Sequence, residues 1–84
     1  FPNPTRGATT VNFSLAKPGR VRIGVYDVHG RLVRVLLDAL SGAGGERVEW
    51  DGADESGARL AAGAYFIRLV SPGTLTTQRV IVLR

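Results

Sequence analysis

The chain has 84 residues, a length that supports one small hydrophobic core, so we predict a single domain over residues 1–84. It contains no cysteine, which excludes disulfides and thiolate metal sites, and no apolar stretch reaches the roughly 18 residues of a membrane-spanning helix. The net charge of +4 comes mainly from arginines that are spread singly and mostly alternate with apolar residues. That spacing is typical of a solvated sheet face and argues against a nucleic-acid partner.

Turn signals rich in glycine and proline recur at short intervals, beginning with a structural turn at Asn3 and Pro4. Such regular punctuation is typical of a β-sandwich. Residues 9–15 alternate apolar and polar side chains and predict a half-buried strand. Residues 20–28 alternate in the same way, and His29-Gly30 predicts a two-residue turn that joins this strand to the next in a hairpin.

Residues 31–38 are ambiguous, because the apolar residues of this region also fit one stripe of a helix. We predict a strand, since a segment directly after a tight turn pairs most simply with its predecessor. In that strand, Val33, Val35 and Leu37 keep a period of two.

The second half of the chain predicts three further strands, over residues 46–50, 64–71 and 76–84. Trp50 and Tyr65 are expected to anchor the core. The last strand has apolar residues in succession, which predicts burial on both faces rather than an edge position. The fold class is therefore predicted to be all-β, an antiparallel sandwich of six to seven strands.

Catalytic motifs are weak in this sequence. The single histidine, His29, stands before Gly30 at a predicted hairpin tip, where such residues are favoured for backbone reasons. The glycines of SGAGGE lack the lysine and the following helix of a phosphate-binding loop. We therefore predict no enzyme activity, no cofactor and no small-molecule substrate.

The acidic stretch DGADESG has two possible interpretations. It fails the spacing of an EF-hand loop, because alanine stands where oxygen ligands are needed. We therefore predict a turn shaped by Asp51, Gly52 and Gly57, with Gly63 allowing a bulge or close strand approach. A looser calcium site formed by carboxylates of this stretch remains an alternative.

Four segments, taken in order, resemble one known family. They are FPNP, VRIGVYDVHGRLVRVL, VEWDGADESGARLAAGAYFIRL and QRVIVLR. Together they resemble the immunoglobulin-like domain shared by flagellar hook-capping proteins and the type A C-terminal sorting domains of the bacterial type IX secretion system. The resemblance covers essentially the whole chain and implies an immunoglobulin-like β-sandwich.

The same resemblance implies a function in protein sorting and not in catalysis. Such a domain is the C-terminal module of a larger bacterial protein that is secreted or held at the cell surface. Its implied partners are the outer-membrane secretion machinery and an upstream cargo domain. The family places the sorting signal at the extreme C-terminus, which here corresponds to Arg79, Val80, Ile81, Val82, Leu83 and Arg84.

Two other classes of function remain open. The sandwich could be a structural or assembly module that self-associates through strand edges. It could also be an accessory module that binds calcium or carbohydrate, which would need converging acids or an exposed aromatic platform.

Overall fold

The computed structural model describes residues 8–83, so the predictions for Asn3, Pro4 and Arg84 lie outside the described residues. It contains six strands and confirms the all-β prediction. The strands are β1 (Thr9–Leu15), β2 (Gly19–Tyr26), β3 (Leu32–Ser41), β4 (Gly44–Trp50), β5 (Gly63–Ser71) and β6 (Thr74–Val82). Within the described part of the chain, no helix is long and apolar enough to cross a membrane.

The strands form two antiparallel sheets of unequal width. One has four strands in the order β3-β2-β5-β6, and the other has only β1 and β4. The predicted hairpin of β2 and β3 is confirmed by their direct antiparallel pairing. The alternation in β1 is also confirmed, since Val11 and Leu15 are buried while Asn12 and Ser14 are exposed.

The core lies between the two sheets. Val21, Ile23 and Val25 of β2 are completely buried, as the alternating pattern predicts. Trp50 is also completely buried, and its ring meets that of Tyr65 edge to face, with the ring centroids 6.1 Å apart. Fully burying an aliphatic side chain contributes about 1.5–3 kcal/mol, so this cluster provides much of the folding free energy.

The segment after the first hairpin is a strand, as predicted, but its period of two is broken. Ile23 pairs with Leu37 and Gly24 pairs with Val35, so Leu36 is an extra residue in a β-bulge. Leu36 therefore packs on the core with Val33 and Leu37. The predicted period of two over Val33, Val35 and Leu37 is wrong, because the bulge places the side chain of Val35 on the other face.

The predicted two-residue turn at His29-Gly30 is also wrong. β2 ends at Tyr26 and β3 begins at Leu32, so the connection has five residues. It closes where Asp27 donates its backbone N–H to the Arg31 carbonyl, while Gly30 donates to the Asp27 carbonyl. This is a type of loop in which a glycine at positive φ follows a tight turn.

The last strand is not buried on both faces. β6 is the outermost strand of the four-stranded sheet, with Val80 and Val82 in the core and Ile81 half-buried on the opposite face. From Thr74 to Arg79 every residue of β6 is exposed. The burial prediction fails because neither of the two described sheets packs on the outer face of β6.

Candidate functional site

The acidic stretch forms a small hairpin of its own, held by a short bridge between Ala53 and Arg59. At its tip, Gly57 donates its backbone N–H to the Asp54 carbonyl at 3.0 Å, and Asp54 donates to the Ala58 carbonyl at 2.9 Å. Positive φ angles at Gly52 and Gly57, of 81° and 89°, allow the chain to reverse twice within this stretch. We call residues 51–59 the acidic loop.

The same hydrogen-bond pattern occurs in the connection after β2. The carboxylate of Asp27 accepts backbone N–H groups from His29 and Arg31, two and four residues later. The carboxylate of Asp54 accepts them from Ser56 and Ala58, at the same spacing. Each aspartate is followed three residues later by a glycine at positive φ. Both turns are therefore marked in the sequence by the motif D-x-x-G. This motif was not identified from the sequence alone.

These hydrogen bonds change the acidity of both aspartates. The backbone N–H of Arg31 is the main cause that holds the pKa of Asp27 below its usual range, and that of His29 adds to it. The Ser56 hydroxyl, which donates at 2.7 Å, is the main cause of the lowered pKa of Asp54. These hydrogen bonds favour the charged forms of both carboxylates.

Arg34 of β3 fastens the acidic loop to the larger sheet. Its Nη1 atom donates to the Asp51 carboxylate at 3.1 Å, to the Ala53 carbonyl at 3.2 Å and to the Asp54 carbonyl at 3.3 Å. Its Nε lies 3.6 Å from the Glu55 carboxylate. The side chain of Arg34 is 26% exposed, so this arginine is a structural clamp and not part of a solvated face.

A calcium site in the acidic loop would need its carboxylates to converge on one point. Asp51 and Glu55 point at Arg34, while Asp54 is turned toward the backbone of its own turn. Across residues 8–83, no group of three or more acidic or histidine side chains is arranged to hold a metal ion. The geometry of the acidic loop is that of a structural connection.

The C-terminal segment singled out from the sequence divides into two groups of side chains. Val80 and Val82 point into the core, opposite Tyr65 and Gly63 of β5. Arg79 and Ile81 alternate with them and lie on the outer face of the sheet, where Arg79 is exposed and Ile81 is half-buried. Leu83 is half-buried beyond the end of β6.

Other arginines lie on the outer face of the four-stranded sheet. Arg68 lies over the ring of Tyr26, with its guanidinium carbon 4.9 Å from the ring centroid. Arg20 forms an ion pair with Asp38 across β2 and β3 at 2.8 Å. Both groups are exposed, and such surface contacts contribute little to stability. The outer face is thus a mixed, solvated surface.

The fold and these contacts define a structural module of the immunoglobulin-like class, with its polar side chains used to hold loops and strand edges. The model of the FlgD Ig-like domain family matches residues 3–74. The chain belongs to this family, which is structural and non-catalytic.

Solved structures contain similar domains. Dimeric latent PorU from Porphyromonas gingivalis superposes with a TM-score of 0.77 and 27% identity, over 99% of this chain and 9% of that one. FlgD from P. aeruginosa gives a TM-score of 0.67 and 23% identity, over 89% of this chain and 60% of that one. PorZ, a surface component of the type IX secretion system of P. gingivalis, gives a TM-score of 0.64 and 24% identity, over 100% of this chain and 11% of that one.

The similarities to FlgD and PorZ, at 23% and 24% identity, show a shared fold. The chain spans only 9% of PorU and 60% of FlgD, so it corresponds to one module of each longer protein. Among curated proteins, none matches the chain.

Proposed function

We propose that this domain is a non-catalytic C-terminal sorting and attachment module that directs a larger cargo protein through the outer membrane by the type IX secretion system. The observation that carries the proposal is the position of β6, which is the outermost strand of the four-stranded sheet within residues 8–83. A receptor can approach such a strand along its backbone edge without dismantling the rest of the sandwich.

The similarity to PorU supports the proposal, since it extends over 99% of this chain at 27% identity. In PorU and PorZ the matching region is 9% and 11% of the protein, which agrees with a small module carried by a much larger chain. An upstream cargo and a secreted or surface location follow from the proposal.

The burial pattern of β6 separates the residues that a receptor could contact from those that hold the strand in the core. Val80 and Val82 are 0% and 2% exposed, so their contribution is to hold β6 in the core. Arg79 and Ile81 lie on the outer face of the sheet, and we assign receptor contact to these two side chains.

The proposal is tested by fusing the domain to the C-terminus of a secreted reporter in a cell that has a type IX system. The fraction of reporter outside the cell is then measured. Removal of residues 80–84 should abolish export, but it also removes core residues. The sharper variant is Ile81→Ser, with Leu75→Ser as control, because Leu75 lies on the same outer face of β6 and is 67% exposed.

We expect Ile81→Ser to lower export about tenfold, which corresponds to a loss of roughly 1.4 kcal/mol in receptor binding. Leu75→Ser should leave export unchanged. Normal export of both the truncated protein and the Ile81→Ser variant, with the reporter fully folded, would contradict a sorting function.

An assembly function is the second candidate. β6 is the outermost strand of its sheet within residues 8–83, and outermost strands are common sites of association between chains. Membership of the FlgD Ig-like family also favours assembly. Sedimentation of the isolated domain over a wide concentration range distinguishes the two, because an assembly module should form dimers or filaments and a sorting module should remain monomeric.

A further inference from the structure

The two sheets differ in width, and this leaves part of the inner face of the larger sheet uncovered. On β6, Thr74, Thr76 and Gln78 lie opposite Ser71, Leu69 and Ile67 of β5, so they share the core-facing side of the sheet. All three are nevertheless exposed. No strand within the described residues lies over them.

A groove of about 250 Å³ occupies this position. One wall is β1, from Val11 to Ser14, and the floor is the inner face of β5 and β6. The floor is apolar toward β5, where Leu69 lies, and carries hydroxyl and amide groups toward β6, where Thr76 and Gln78 lie. None of the lining residues is charged, although 21% of the residues in the chain are.

The wall formed by β1 is itself an open strand edge. β1 pairs with β4 on one side, and across residues 8–83 no strand pairs with its other side. In an antiparallel strand every second residue directs its N–H and C=O away from a given neighbour. The groove therefore combines a row of backbone donors and acceptors with a floor that accepts side chains.

This combination suits an extended peptide better than a small molecule. Small-molecule sites usually enclose roughly 300–1,000 Å³, more than this groove offers. An added strand is bound mainly by main-chain hydrogen bonds, and alternate side chains provide specificity. Because the lining is uncharged, side chains that enter the groove must be uncharged as well.

A second copy of this domain cannot occupy the groove by pairing its own β1 with the β1 of the first copy. In each copy, β5 and β6 of the larger sheet form the floor of the groove beside β1. Neighbouring strands lie only about 4.8 Å apart, so two-fold pairing of the β1 strands would force the two larger sheets into the same space. The occupant must be a strand with nothing packed on its inner face.

We propose that the groove beside β1 is an acceptor site for one extended segment of another polypeptide, with valine- or threonine-sized residues at alternate positions. The added segment pairs with β1 and widens the smaller sheet to three strands. Its inward side chains cover Leu69 and Thr76. This acceptor site is separate from the outer face and edge of β6, which the sorting proposal uses.

The test is an NMR titration of the ¹⁵N-labelled domain with the acetylated, amidated peptide ETVTVTVE, whose end charges lie outside the groove. Binding should shift the amides of residues 11–14 and 74–78 and saturate at millimolar peptide. The peptide EKEKEKEK, which has charged side chains on both faces of the strand, should bind at least about tenfold more weakly, because either face places charges in the groove.

Matched variants locate the site. Thr76→Lys places a charge on the groove floor, whereas Thr77→Lys places it on the opposite face of β6, since Thr77 lies opposite the exposed Arg68. We expect about a tenfold weaker affinity for Thr76→Lys and no change for Thr77→Lys. Absence of saturable shifts along β1, equal effects of the two variants, or peptide binding at the edge of β6 would each overturn the proposal.

Discussion

The carboxylate of Glu55 accepts a hydrogen bond from the backbone N–H of Val35 at 3.0 Å, although the two residues lie 20 positions apart. The backbone N–H of Glu55 also donates to the carbonyl of Val33 at 3.1 Å. One residue of the acidic loop thus satisfies a donor and an acceptor on the open edge of β3. It takes the place of a residue in a neighbouring strand.

This arrangement protects the β3 edge of the larger sheet. Unpaired strand edges are sites of unwanted association, and natural proteins often cover them with loops or charges. At β3 the acidic loop covers the edge and adds negative charge.

The first prediction concerns this edge. Glu55→Ala should lower the free energy of unfolding by about 1 kcal/mol, the usual contribution of one exposed hydrogen bond. It should also increase self-association, because the N–H of Val35 becomes available to another chain. Urea denaturation and analytical ultracentrifugation measure the two effects. Glu49→Ala, at an exposed glutamate of β4, is the control and should change neither.

The second prediction concerns the clamp formed by Arg34. Arg34→Lys should lose roughly 1–3 kcal/mol of stability, because the lysine ammonium is one bond closer to the backbone than Nη1 and lacks a second nitrogen for the Glu55 carboxylate. Hydrogen exchange of the amides in the acidic loop should accelerate in this variant. Arg22→Lys, on the exposed face of β2, is the matched control. Equal stability of the two variants would show that Arg34 is not a clamp.

The third prediction concerns the carbonyl of Ala53, which accepts hydrogen bonds from both Trp50 Nε1 at 3.0 Å and Arg34 Nη1 at 3.2 Å. Either donor alone satisfies this carbonyl when the other is removed. Trp50→Phe and Arg34→Ala together should therefore cost more than the sum of the single changes, by roughly 0.5–3 kcal/mol. Denaturation of the four proteins in a double-mutant cycle measures this coupling, and strict additivity would contradict it.

The fourth prediction concerns pH. Asp27 and Asp54 have pKa values below those in the unfolded chain, through hydrogen bonds from Arg31 and Ser56 respectively. Their stabilisation is therefore present above the unfolded value of about 3.9 and is lost as the pH falls through the lower folded values. The urea midpoint should fall steeply below about pH 4.

Asparagine variants separate these two residues from the other acids. Asp27→Asn and Asp54→Asn should each be less stable than the wild type at neutral pH and should show a flatter dependence on pH below about 4. Glu46→Gln removes the same charge from an exposed position on β4 and should keep the original slope. An unchanged slope in both aspartate variants would show that the turns do not need ionised carboxylates.

Much of the fold follows from local patterns. The alternation in residues 9–15 predicts β1 with its bounds, and the tight turn after β2 favours a strand over a helix for β3. The core positions of Trp50 and Tyr65 were also predictable, because large aromatic residues beside turn signals are usually buried. The two D-x-x-G turns were readable in principle, since each depends on residues within five positions of one another.

What the sequence by itself determined is thus the set of strands, the inward side of most of them and the absence of a catalytic motif, since periods and turns act over a few residues. Only the tertiary structure decided the bulge at Leu36, the clamp of Arg34, the pairing of Glu55 with Val35 and the edge position of β6. Each of these depends on register or contact between segments far apart in the chain. The groove beside β1 belongs to the same group, because it exists only where a sheet of two strands lies on a sheet of four.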